Sequence, residues 1–405
     1  IVKFRSDVSL PDIEKALRGK ENLPIAASAE RLFSVCCDKE FLKEISPLTE
    51  YYEADAPRKI LASDDPLEIP AFSPMSVYPA WEKVPDLSGI TIAVLDTGIE
   101  RSHEDFEGVN ILNGYDAVKR ASGVSGDSSG HGTAVAGVIA AAANNKKGFA
   151  GIARGVTLLP VKVSTTGATI YSSDLISGIR FAADAGADII NMSVGGYSPS
   201  YAEQEAVDYA VNKGCILVAA SGNEGDRSYA GQKSYPASYE GVVSVASVSQ
   251  SGEISAFSQY NDAVDVAAYG ENIPILAFED GRSVYKYDSG TSYSCALVSG
   301  VAALALASAG DARFDSAEFD SLIKDICGDN RNDHVGHGIV NAERAVDFAK
   351  LPIVTGVRNG GVYSDKIKIG FNRGKATVDG ESIIDGETVL VGGKHILKVV
   401  DGENE

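Results

Sequence analysis

The feature that most constrains the fold is a regular alternation, from about residue 81 to residue 350, of short apolar runs with longer helical patterns. The runs at residues 90–95, 158–163, 188–192, 216–220 and 242–247 are mostly Val, Ile, Leu and Ala, without the polar alternation of a half-exposed strand. Helical patterns lie at 133–143, 174–185 and 202–212, with another at 294–307. Strand and helix in alternation require crossover connections. The expectation is therefore an α/β fold, a mainly parallel sheet with helices on both faces.

Two zones of different texture flank this one. Residues 1–61 read as a small α+β unit: an extended start at 1–4, a helix at 12–17 introduced by Pro11, a strand at 32–35, a helical stretch at 41–45 and a strand at Tyr51-Tyr52. The Pro- and Asp-rich stretch 62–74 reads as an exposed linker. Residues 352–405 read as a small all-β module, with strands at 366–371 and 388–391 and turn signals at Asp379-Gly380, Asp385-Gly386 and Gly392-Gly393. No stop signal ends it, so the module is expected to be cut within a longer protein. The division is thus 1–61, 62–351 and 352–405.

Charge narrows the partners. With 36 Lys and Arg against 56 Asp and Glu, the net charge of -20 argues against nucleic acid or anionic lipid, which need clustered positive charge. No apolar run approaches the roughly 20 residues that span a bilayer, and any secretion signal is expected to have preceded Ile1. The five cysteines, 36, 37, 215, 295 and 327, are odd in number and two are adjacent. That suits neither a disulfide framework nor a zinc site, and buried apolar thiols are expected.

Four segments carry chemistry. Residues 92–98 form an apolar run ending on Asp96 and turning at Gly98, which puts a carboxylate at the carboxyl end of a strand; an Asp there equally caps a turn. In Ser129-Gly130-His131-Gly132-Thr133, an imidazole between two glycines opens an Ala-rich helix. In Gly290-Thr291-Ser292, a serine stands at the start of an apolar helix, where free N–H groups steady an anion; an ordinary N-cap serine has the same pattern. Residues 218–225 form a strand that finishes in Ala220-Ser221-Gly222 and then Asn223, whose amide can donate to an oxyanion or simply suit a turn.

Together these segments resemble the subtilisin-like serine proteases, the subtilase superfamily, through Asp96-Thr97-Gly98, His131-Gly132-Thr133, Asn191-Met192-Ser193, Ser221-Gly222-Asn223 and Gly290-Thr291-Ser292, in the family's order. The resemblance implies an Asp96–His131–Ser292 triad, with Asn223 and the Ser292 backbone N–H as oxyanion hole. It implies that Ser193, Val194 and Gly195 pair with an extended peptide, facing Ala220, Ser221 and Gly222 across a pocket floored near Ser234. No acidic residue occurs at these positions, which favours apolar or aromatic side chains before the scissile bond. Asp105 and Asn145 match a family calcium site, with Lys146 and Lys147 as unusual neighbours.

The first zone resembles the family's prodomain, which assists folding and then blocks the cleft. Residues 51–55 would be its last strand, residues 58–61 would lie in the cleft, and self-cleavage is expected near Leu61-Ala62. The last zone resembles β-sandwich repeats of Gram-positive surface proteins. The expected whole is a monomeric, secreted or cell-surface bacterial endopeptidase acting on proteins or peptides. One departure is Ala296, where the family has a proline four residues after the nucleophile. The rival reading is a scaffold that keeps the fold without turnover.

Overall fold

The computed structural model describes residues 2–20, 22–24, 31–35, 38–52, 63–123, 126–127, 129–310, 314–328, 331–356, 367–379, 381–389 and 395–400. The chain forms two compact units, Ile1–Leu61 and Ala62–Glu405. The sequence expectations for Cys36, Cys37, residues 53–62, Gly380, residues 390–394 and the end of the chain lie outside the described residues.

The first unit is an antiparallel sheet of order β2-β3-β1-β4, built from β1 (Val2–Phe4), β2 (Asn22–Pro24), β3 (Leu32–Val35) and β4 (Thr49–Tyr52). Helices α1 (Leu10–Ala16) and α2 (Lys39–Ile45) begin on side-chain caps, Ser9 accepting from the Asp12 N–H and Asp38 from the Phe41 N–H. Val2, Phe4, Ile13, Leu17, Phe41 and Ile45 fill its core.

The second unit is built on an eight-stranded sheet. Its strands are β5 (Thr91–Asp96), β6 (Tyr115–Asp116), β7 (Ala121–Ser122), β8 (Thr157–Lys162), β9 (Ile189–Met192), β10 (Ile216–Ala220), β11 (Val242–Val248) and β12 (Val266–Tyr269). Their order is β12-β11-β10-β9-β5-β8-β6-β7, and every pairing is parallel except that of β7 at one edge. Alternate residues face opposite layers. Ile92 and Val94 pack with α4 (His131–Ala140) and α7 (Thr291–Ala309), while Ala93 and Leu95 pack with α5 (Ser172–Asp184) and α6 (Tyr201–Asn212). From β5 the chain passes through α4 to β8 on one side, then through α5 to β9 on the other. Strand order thus reverses at β5, and a crevice opens at its carboxyl end.

Several elements escaped the sequence pattern: α3 (Val77–Lys83), the hairpin of β13 (Ile273–Glu279) and β14 (Arg282–Asp288), and helices α8 (Ser316–Cys327) and α9 (Ala342–Phe348). Beyond α9, β15 (Val354–Thr355), β16 (Ile367–Phe371) and β19 (Glu387–Val389) form one small antiparallel sheet; β17 (Lys375–Val378), β18 (Glu381–Ile383) and β20 (Leu397–Val400) form another. Their start is tied to α8, where Ser321 Oγ donates to the Val354 carbonyl at 2.8 Å.

Two expectations need qualification. Helix α7, at 19 residues, is long and apolar enough to cross a membrane, yet 89% of its apolar window is buried, as the central helix of the fold. The stretch read as an exposed linker is only partly exposed: Ile69, Ala71 and Phe72 are buried within it, with the Phe72 ring edge-on to Trp81 at 5.2 Å. Its Pro and Asp residues signal the absence of regular structure, and the apolar residues between them pack without a period. Phe72→Ala should therefore lower stability by about 3–5 kcal/mol, read as a drop in thermal midpoint; a change under about 1 kcal/mol would restore the linker reading.

Candidate active site

The crevice at β5 gathers the chemistry. Asp96 is the last residue of β5 and only 2% exposed. His131 is the first residue of α4, and Ser292 lies in the first turn of α7. The His131 Nδ1 lies 2.9 Å from both Asp96 carboxylate oxygens, and its Nε2 lies 3.2 Å from Ser292 Oγ. A carboxylate thus fixes the tautomer that turns the other ring nitrogen to the hydroxyl. Close approach of α4 to β5 requires glycine after the histidine, because a Cβ on Gly132 would sit 2.2 Å from the Gly98 carbonyl oxygen.

The loop before α4 is tied by Asp127, which the sequence reading missed. Its Oδ1 accepts from Thr97 Oγ1 (2.7 Å) and from the Ser129 and Gly130 N–H groups; its Oδ2 accepts from the Thr133 N–H and hydroxyl. One carboxylate thereby caps α4 and joins it to the end of β5. The available signal was an Asp four residues before His131, at a helix start.

Asp96 above all, with Asp127 and Asp288 adding to it, pushes the His131 pKa up to about 9 against the opposing effect of burial. Because the folded value exceeds the ordinary 6.5, the ion pair's stabilisation is complete below pH 6.5 and is lost as pH climbs through about 9. Base chemistry by the neutral ring runs the other way and needs the higher pH.

Asn223 stands on the other side of Ser292, just beyond the end of β10. Its Oδ1 accepts from the Thr291 N–H and Oγ1, both at 2.9 Å, which leaves the amide N–H groups as the donors available to a ligand. The Ser292 N–H belongs to a first helical turn, which lacks intrahelical partners. Residues 193–195 follow β9, and 221–222 follow β10. A Cβ on Gly195 would meet Ser234 Oγ at 2.7 Å and one on Gly222 would meet it at 3.5 Å, so both glycine walls converge over Ser234. Val194 is half-buried beside the α5–α6 layer, and Ala220 and Ser221 are buried. Ser193 differs from its neighbours, because its side chain turns under Ser292 and Oγ donates to the Ser292 carbonyl at 3.2 Å. At the departure from the family pattern, α7 runs unbroken through Ala296.

The structure also brings Asp105 and Asn145 together. Asn145 Nδ2 donates to Asp105 Oδ1 at 2.8 Å, and Asp105 Oδ2 accepts from the Phe149 N–H. Lys147 turns away to Glu107, and Asp65 collects the N–H groups of Asn144, Asn145 and Lys146. Burial pushes the Asp105 pKa up to about 6, with Asp65 and Glu104 adding to it. Among the described residues no cluster of three or more His, Cys, Asp or Glu side chains could hold a metal.

A central parallel sheet with a buried Asp, a His and a helix-N-terminal Ser in hydrogen-bonding series defines a serine hydrolase of the Asp-His-Ser type. The subtilase family profile matches residues 87–339. Thermitase of Thermoactinomyces vulgaris is 36% identical over 66% of this chain and 92% of its own length. The thermophilic serine proteinase of Bacillus sp. (strain AK1) is 39% identical over 59% of this chain, the match spanning only 58% of that protein. A solved protease from Pseudoalteromonas arctica superposes with a TM-score of 0.61 at 30% identity, over 71% of this chain and 99% of its own. The chain belongs to the subtilase family and is a serine endopeptidase of that kind.

Asp127→Asn should lower the His131 pKa from about 9 toward 6.5, read by NMR titration of the imidazole in a Ser292→Ala background. An unmoved titration would make Asp127 a purely mechanical cap.

Proposed function

We propose that this endopeptidase cuts peptide bonds through an acyl-enzyme on Ser292. The observation that carries it is the His131 ring held between Asp96 and Ser292 Oγ. Ser292 Oγ attacks the carbonyl carbon while His131 Nε2 takes its proton; Asp96 keeps Nδ1 protonated and offsets the imidazolium charge. Asn223 and the Ser292 N–H donate to the oxyanion, and His131 then returns the proton to the leaving amine. The substrate lies extended along residues 193–195, its side chain before the scissile bond entering between them and Ala220-Ser221-Gly222 toward Ser234. With no acid at those positions, apolar or aromatic side chains are favoured there.

Residues 1–61 act as a prodomain, removed by self-cleavage near Leu61-Ala62. Support comes from their compactness, their own core and their place ahead of the family-matched segment, which begins at residue 87. The mature enzyme works as a monomer outside the cell or on the surface of a bacterium, with residues 352–405 as an accessory β module. Acidic composition and the bacterial sources of the relatives agree with this.

A fluorophosphonate probe should label the wild type but not Ser292→Ala, and only the wild type should lose the mass of residues 1–61. Asn223→Ala should keep the label yet lose about 10²–10³-fold in kcat, the scale subtilisin shows for loss of this donor. An unlabelled wild type would leave the scaffold reading in its place.

Calcium is the proposed structural ion. Asp105 and Asn145 fit it in kind: a buried carboxylate, its pKa raised chiefly by burial, beside a side-chain amide. Bound there, the ion would brace the loop and take no part in bond cleavage. Since the Asp105 pKa lies above its unfolded value, ionising it costs stability as pH rises from about 4 through 6. Calcium at a hundred times its Kd should add about 2.7 kcal/mol, a rise in thermal midpoint at pH 8 that fades below pH 6 and vanishes in Asp105→Asn. A midpoint indifferent to calcium at pH 8 would remove the ion from the proposal.

A further inference from the structure

The residue after the nucleophile, Tyr293, has no part in the proposed reaction, yet it is only 2% exposed and its ring lies 6.5 Å from the His131 ring, centroid to centroid. Its hydroxyl donates to Asp288 Oδ2 at 2.6 Å. The other oxygen, Asp288 Oδ1, accepts from the Ser289 N–H at 2.8 Å, and Ser289 Oγ in turn accepts from the Asn272 N–H. Both oxygens of this carboxylate are therefore held, one by the turn that leads into α7 and the other by Tyr293 in the first turn of that helix. Asp288 is nevertheless exposed. Among the described residues no ion pair includes it, and the neighbouring cation on its strand, Lys286, is committed to Glu279.

The side of the cleft on which Asp288 stands follows from the chemistry. Asn223 and the walls that converge on Ser234 mark where the acyl portion sits. The leaving amine must meet His131 Nε2, which returns the proton to it. Tyr293 and Asp288 lie toward His131. The acidic groups facing that ring are Asp96 from β5, Asp127 from the loop before α4 and Asp288 from the end of β14; all three raise its pKa, so the charge of Asp288 reaches the reacting centre. Asp96 and Asp127 are committed to His131, Thr97, Thr133 and backbone donors, and Asp288 is the one left open to a ligand.

We propose that Asp288, held by Tyr293, is a specificity residue of the leaving-group side, selecting substrates with Lys or Arg just after the scissile bond. This rests on the endopeptidase reading above. A fixed, exposed carboxylate pays no ordering cost when a cation docks, and it repels Asp or Glu at the same place. No bond is made or broken by it.

The test uses internally quenched peptides that differ only in the first residue after the scissile bond, Lys, Gln or Glu, with wild type, Asp288→Asn and Asp288→Lys. Each enzyme is first titrated with a fluorophosphonate probe so that rates refer to labelled sites. The expected result is a wild-type preference for Lys over Glu of about tenfold in kcat/KM at low ionic strength, shrinking in 0.5 M salt as an exposed charge requires. Asp288→Asn should flatten the preference and Asp288→Lys invert it. Equal rates for Lys and Glu in the wild type, or a preference unchanged in both labelled variants, would overturn the proposal. A wild type that labels but shows no charge preference fails this inference alone; one that neither labels nor cleaves fails the endopeptidase reading and this one with it.

Discussion

The site depends on one buried charge. Asp96 ends the central strand of the sheet, almost out of water, where an unpaired carboxylate would cost several kcal/mol or neutralise itself. Its surroundings are arranged to prevent that. The Thr97 N–H donates to it at 2.8 Å, His131 approaches both oxygens, and Asp127 fastens Thr97, the glycine turn and the first turn of α4 into one unit. The same contacts that make the charge tolerable aim the imidazole. Structure and chemistry therefore share a single constraint, and loosening the loop before α4 would disturb both.

That constraint sits where it does because of topology. A parallel sheet places the carboxyl ends of β5, β9 and β10 on one edge, and the reversal of strand order at β5 opens that edge. Asp96, residues 193–195 and Asn223 are then neighbours in space although more than a hundred positions separate the first from the last. Helices α4 and α7 meet the same edge with their N-termini, whose field favours negative charge, although Thr97 and Asp127 take the first-turn N–H groups of α4 and Asn223 takes the Thr291 N–H of α7. None of this requires unusual side chains. It requires strands of the right order that each end on one polar residue.

Hence the site was largely legible in the sequence, since each motif is a strand end or helix start with a local pattern. The five central strands and four long helices were foreseen within a few residues because buried parallel strands leave uninterrupted apolar runs. What escaped has no such pattern. Asp127 acts through donors scattered from Thr97 to Thr133, and only folding brings them together. In the segment 63–76 the buried residues, Ile69, Ala71, Phe72 and Met75, follow no period. Hairpin β13–β14 did carry a signal, Asp280-Gly281 with positive φ at both residues between two extended runs, but it sits inside an α/β pattern that directs attention to parallel strands. Tyr293 reads as one more apolar residue of a buried helix until Asp288 is seen at its hydroxyl.

Helix α7 poses a further problem that its sequence solves. A helix apolar all round has no preferred face, so hydrophobic burial alone would not set its rotation about its own axis, and Ser292 could point several ways. Rotation is fixed instead by the few polar atoms on one side of it. Ser294 Oγ donates to the Ala268 carbonyl; Cys295 Sγ and Ser299 Oγ both reach Asn191 Oδ1; and Asn191 Nδ2 donates to Ser193 Oγ, which closes the circuit on the Ser292 carbonyl. Burial makes each of these bonds costly to leave unmade, so a turn of the helix would strand several groups at once. This is the reason for a thiol and two hydroxyls in the interior of an otherwise oily helix. Burial pushes the Cys295 thiol pKa up to about 12, which suits an inert hydrogen-bonding group and no redox or nucleophilic task. Ser292 is held from below by Asn191, through Ser193, and from the side by His131, and both supports trace back to the ends of adjacent strands, β9 and β5.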